Sequence, residues 1–120
     1  MIRRKFFSFT KEEATRQYII FLLKKMKNYK NFNFKVEVPF RIHNLNKRLD
    51  ILVSLQKNKP YIIIECKAPN IEITQKTFDQ ISRYNKIIKS PYLMISNGIQ
   101  NLFFQIDKTQ KKFIFLRKIP

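Results

Sequence analysis

The sequence predicts a layered fold of the α/β or α+β type, a central mixed β-sheet flanked by helices in the order α-β-β-β-α-β with a C-terminal β-hairpin. Three observations predict it. Two helical segments with 3.6-residue apolar spacing stand apart in the chain, alternating or apolar strands separate and follow them, and polar turns punctuate the strands. Length agrees: 120 residues with one stretch of continuous patterning and no linker or repeat make a single domain over 1–120.

The first helix is expected in "TKEEATRQYIIFLLKKMKNY", with Thr10 as N-cap and Glu13 as its capping-box partner. Ile19, Leu22, Leu23 and Met26 form its inward stripe, which projects back to Thr15 and Glu12. "FNFKVEVPF" alternates Phe32, Phe34, Val36 and Val38 with polar residues, as a half-buried strand does. "HNLNK" reads as a turn. "RLDILVSL" then makes a second strand with Leu49, Ile51, Val53 and Leu55 on one face and Asp50, Leu52 and Ser54 on the other. "QKNKP" connects it tightly to "PYIIIECKAP", so the three strands form an antiparallel meander.

In "ITQKTFDQISRYNKIIKS" a second helix starts at Thr74. Phe78, Ile81 and Ile88, with Tyr84 and Asn85 more loosely, face inward, and Pro91 stops it. "YLMIS" is a short strand ended by "NG", and "LFFQID" and "FIFLRKI" pair around "KTQKK". A meander followed by a helical crossover makes the sheet mixed.

Composition limits the chemistry. Cys66 and His43 each occur once, which excludes an intramolecular disulfide and a Cys/His zinc site. Cys66 reads as a buried strand thiol and His43 as a surface turn residue. No apolar run is long enough to span a bilayer and "MIRRKFF" leads into no signal-peptide core, so the chain is expected in the cytoplasm without a membrane partner. A net charge of +17 favours a polyanion, although a sequence so rich in Lys, Asn, Ile and Phe owes part of that charge to composition.

The chemistry concentrates where the third strand ends. Alternation puts Glu65 and Lys67 on one face with Tyr61 and Ile63, and Ile62, Ile64 and Cys66 on the other. Asp50 starts the preceding strand, and in an antiparallel pair that start lies opposite the next strand's end. Asp50, Glu65 and Lys67 are therefore expected together. Two carboxylates and the Cys66 backbone carbonyl are hard oxygen ligands suited to Mg²⁺ or Mn²⁺. Lys67 would orient water or stabilise charge growing on a phosphate.

This arrangement resembles the PD-(D/E)xK nuclease superfamily, with Asp50, Glu65 and Lys67 at its Asp and Glu-x-Lys positions; Leu49 replaces the proline. "RLDILV", "IIIECKAPN", "TFDQISRYN" and "PYLMISNG" resemble the N-terminal endonuclease domain of type I restriction enzyme R subunits, and small proteins made of that domain alone. The resemblance runs from "TKEEATRQ" to the final hairpin. It implies a restriction-endonuclease-like core and Mg-dependent hydrolysis of DNA phosphodiester bonds by a deoxyribonuclease within restriction-modification. It matches Gln80 and Tyr84 to a Gln-x-x-x-Tyr signature that supports the site or positions DNA. It places the first-helix glutamate in "EEATR", at Glu12 by the spacing above or one residue on at Glu13. DNA is the implied partner, with other restriction-modification or helicase subunits. The competing reading is a non-catalytic DNA-binding or partner-docking module with the same fold.

Overall fold

The structure is a computed structural model that describes residues 11–107, 109 and 112–120. The expected Thr10 cap, the basic head and most of the last turn lie outside them.

Helix α1 (Lys11–Lys27) buries Thr15, Ile19 and Leu23, a four-residue spacing that keeps one face on the sheet. Leu22 is half-buried, while Met26, one residue before the helix ends, is 60% exposed, contrary to the expected stripe. A short turn at Asn31–Asn33 then leads to β1 (Phe34–Ile42), β2 (Leu45–Gln56) and β3 (Lys59–Cys66). Phe32, expected on the inner face of the first strand, lies in that turn and is 81% exposed.

The β1–β2 turn is tighter than the sequence suggests. Ile42 pairs with Leu45, and His43 and Asn44 both take positive φ (50° and 63°), which matches the twist of a two-residue hairpin. Leu45, Asn46 and Lys47 consequently belong to β2. After β3, helix α2 (Gln75–Ile88) begins behind Thr74, whose N–H reaches the Thr77 hydroxyl at 3.4 Å. Lys89, at φ 61°, closes it. Asn85 then brackets Ser90, donating to its carbonyl at 2.9 Å and accepting from its N–H at 2.8 Å. Strands β4 (Tyr92–Ser96), β5 (Asn101–Asp107) and β6 (Lys112–Leu116) complete the sheet.

The sheet order is β1-β2-β3-β4-β5-β6, with only β3–β4 parallel because α2 carries the chain back between them. Two apolar layers cover it. Ile19 and Leu23 of α1 pack on Ile51, Val53, Ile62, Ile64, Met94 and Phe103. Ile81 of α2 packs on Leu49, Leu52, Ile63, Leu93 and Ile95 of the opposite face.

That division corrects the expected faces of the second strand. Leu49 packs with Leu52 on the α2 side, whereas Ile51 and Val53 face α1. The pleat breaks at Asp50, and the neighbouring strand breaks with it: Phe34 faces α1, Val38 and Phe40 face α2, and Glu37 between them has φ 51°. Tyr61 also leaves its expected face. The β2–β3 register slips between Val53 and Ser54, which pair with Ile62 and Pro60, so Tyr61 is bulged and joins Tyr92 on the α1 side.

Candidate functional site

The pleat break at Asp50 is also where β2 parts from β3. Ladder pairing runs to Ile51–Ile64 and stops. In place of the next backbone partner, the Asp50 carboxylate accepts a hydrogen bond from the Cys66 N–H at 2.7 Å. On its other edge β3 continues in register with β4, and the Lys67 N–H donates to the Ser96 carbonyl at 2.8 Å. N–H and C=O of one strand residue point to the same edge, so the Cys66 carbonyl is turned toward the Asp50 side.

Asp50 and Glu65 are hydrogen-bonded to each other. Glu65 is only 6% exposed, and its pKa is pushed up to about 9, first by burial and then by the Asp50 hydrogen bond and charge. Burial and the neighbouring carboxyl thus both favour the protonated form of Glu65. Lys67 brings its ammonium to 4.0 Å from the Glu65 carboxyl and opposes the shift. The expected trio is thus together.

Glu12 enters from α1. Its side is exposed rather than buried, yet desolvation and the Asp50 charge raise its pKa, while Lys67 and Arg16 lower it. Glu13 turns elsewhere, to an ion pair with Arg16 and a 2.9 Å hydrogen bond from Gln17. Burial pushes the Cys66 thiol up, with the Asp50 and Glu65 charges adding to it, so its sulfur is inert at neutral pH.

Gln80 and Tyr84 form a unit of their own. The Gln80 amide donates to the Tyr84 hydroxyl at 2.8 Å, and the Tyr84 ring meets Phe40 edge-on at 4.8 Å. Among the described residues, neither hydrogen-bonds to Asp50, Glu65 or Lys67. His43 is exposed in its turn.

Three residues outside the expected set organise this end of the sheet. Arg16 bridges from Glu13 to Glu37 at 3.3 Å, and its buried Nε has no hydrogen-bond partner among the described residues. Glu37 also meets Arg48 at 3.7 Å. Asn97 ties the end of β4 to two other segments. Its side chain donates to the Ile71 carbonyl at 3.0 Å and accepts from the Ile99 and Gln100 N–H groups, and its carbonyl lies 3.5 Å from the Thr15 hydroxyl of α1. Gly98 follows at φ 88°, a conformation that side chains disfavour. "NG" was legible as a stop; the contacts it makes across the fold were not.

Among the described residues, no group of three or more His, Cys, Asp or Glu side chains stands close enough to hold an ion. The donor chemistry nonetheless fits a hard cation. Two carboxyl groups lie side by side, and a backbone carbonyl is turned to the same edge.

A mixed sheet between helices thus carries an aspartate at a strand break and Glu-x-Lys at the end of the next strand. The chain belongs to the type I restriction enzyme R protein N terminus family (HSDR_N), whose family model matches residues 11–120. A fragment structure of a putative HsdR subunit of a type I restriction enzyme from Vibrio vulnificus YJ016 shares the fold, with a TM-score of 0.67 at 18% identity. The match covers 93% of this chain and 24% of that one, so this chain spans about a quarter of that structure's length. No curated protein matches the chain. No helix among the described residues is long and apolar enough to cross a membrane.

Proposed function

We propose that this domain binds DNA and hydrolyses its phosphodiester bonds with Mg²⁺ or Mn²⁺, as a nuclease module of a cytoplasmic restriction-modification system. The observation that carries the reading is the buried Glu65 carboxyl beside Asp50, with the Lys67 ammonium 4.0 Å from it, at the end of a strand. Such a pair is costly to bury and contributes nothing a hydrophobic pair would not do better, which favours a chemical role.

Asp50, Glu65 and the Cys66 carbonyl would hold the ion. When bound, it would activate water and offset charge on the phosphate. The chain's own groups supply the rest. Lys67, partly exposed beside Glu65, offers its ammonium to the charge that grows on the scissile phosphate. Glu12 adds a further acidic contact to the same centre. Gln80 and Tyr84, locked to each other, stiffen the α2 face beside β1 and position DNA or the site from there. Partners by this reading are DNA and other restriction-modification or helicase subunits.

A second reading, a non-catalytic module that binds DNA or docks on another chain, is favoured by the burial of Glu65, which leaves its carboxyl little open to a substrate. Plasmid DNA incubated with Mg²⁺ or Mn²⁺ decides between them. Metal-dependent cleavage is expected, absent in Glu65→Ala and about a hundredfold slower in Lys67→Ala. DNA left intact at every metal concentration while a gel shift persists supports the second reading. Cleavage that survives both substitutions overturns the site.

A further inference from the structure

Beyond the last β2–β3 pair, Val38–Ile42 and Leu45–Leu49 bond only to each other, so the first hairpin runs past the site as a two-stranded ribbon. Val38 to Leu49 carries Arg41, Lys47 and Arg48 and no acidic residue. Its two faces differ. Val38, Phe40 and Leu49 turn to the α2 layer, so the alternate pairs Pro39–Arg48 and Arg41–Asn46 occupy the opposite face.

Arg41, Asn46 and Arg48 are all exposed. They line a concavity of about 420 Å³ with Pro39, Phe40 and Lys47. Arg41 is steadied over the turn by the Asn44 carbonyl at 3.4 Å. At the inner end Arg48 reaches Glu37, which Arg16 joins to α1, and Glu37 stands opposite Asp50 where the pleat breaks. The basic face therefore leads directly into the carboxylate centre.

We propose that this ribbon face seats the backbone of duplex DNA and delivers it to Asp50 and Glu65. A two-stranded ribbon has the width of a major groove, and Arg side chains spaced along it grip phosphates. The polar exposed side chains of this face, Arg41, Asn46 and Arg48, are cations and an amide, and Phe40 is committed to Tyr84. With no free aromatic platform, the ribbon suits a paired backbone rather than unstacked bases. The inference rests on the DNA reading above.

Binding of a short labelled duplex in EDTA, where cleavage cannot intervene, tests it by anisotropy across a salt series. Two variants remove equal charge: Arg41→Ala/Arg48→Ala on the ribbon and Lys57→Ala/Lys59→Ala at the far end of β2, about 30 Å away by strand rise. The ribbon variant is expected to lose about tenfold or more in affinity and to flatten the log–log salt dependence by about two, while the far-end variant stays near wild type. In wild type, duplex should also slow amide exchange across Arg41–Arg48. Equal loss in both variants, unchanged exchange in the ribbon, or tighter binding of single strand than duplex overturns the ribbon and leaves the nuclease reading standing. Wild type that binds no DNA overturns both.

Discussion

The two ends of the sheet bury polar groups in opposite ways. At the end beside α1's C-terminus, Asn33 is buried with its bonds made: its amide donates to the Ser54 carbonyl at 2.9 Å, and its oxygen accepts from the Lys30 N–H at 2.8 Å. Tyr29, Tyr61 and Tyr92 gather there, and burial raises the pKa of Tyr29 and Tyr61 and so keeps those two neutral. At the other end, burial and the neighbouring Asp50 raise the pKa of both Glu65 and Glu12, and the buried Arg16 Nε has no hydrogen-bond partner among the described residues. One end is satisfied and the other is under electrostatic strain. Stability does not require the second arrangement, which agrees with the binding role proposed for its groups.

The largest expected effect comes from relieving that strain. Glu65→Gln keeps the shape and the donor to Asp50 but removes the titration; cleavage should vanish while the fold becomes more resistant to alkali. The sign follows from linkage. Folded Glu65 keeps its proton to about pH 9, and unfolded Glu65 loses it near the ordinary carboxylate value, so wild-type stability is fullest below that value and falls as pH rises toward 9. Urea titrations at acid and alkaline pH should show wild type losing stability between them relative to Glu65→Gln. Parallel curves would remove the buried proton from the argument.

Asn33→Ala should do the reverse. Unpairing the Lys30 N–H and Ser54 carbonyl costs about 1–3 kcal/mol by urea denaturation, with metal-dependent cleavage per folded molecule unchanged. A loss of cleavage exceeding the loss of fold would mean that the two ends are coupled. The smallest effect is expected from Tyr84→Phe, which removes the acceptor of the Gln80 amide and keeps the ring on Phe40. Stability should change by about 1 kcal/mol or less, so a clear drop in cleavage at constant Tm would assign the hydroxyl to the site.

Much of this was legible in the chain. The meander, the α2 crossover and the meeting of Asp50 with Glu65 and Lys67 all follow from alternation and turn placement, because antiparallel topology fixes which ends are adjacent. The faces of Leu49 and Tyr61 were not. A left-handed residue at Glu37, a carboxylate standing in for a ladder bond at Asp50 and a bulge at Tyr61 each shift the pleat without altering the apolar pattern, and both faces of the sheet are covered, so neither face is marked by polarity. Arg16, Glu37 and Asn97 were illegible for another reason. The partners through which they cross the fold lie far off in the chain, as with Thr15 and Asn97 at 82 residues apart, and no local spacing signals such contacts.

The sheet order carries a kinetic consequence. Every strand lies beside its neighbour in sequence, so nearly all pairing closes short loops, and the β3–β4 crossover is the one long closure. The metal-binding candidates Asp50 and Glu65 belong to the meander before that closure, while Ser96 and Asn97, which fix the end of β3 and the approach of α1, come after it. Pairing within the meander needs no residue from beyond the crossover, whereas the surroundings of its carboxylates are complete only once β4 lies beside β3.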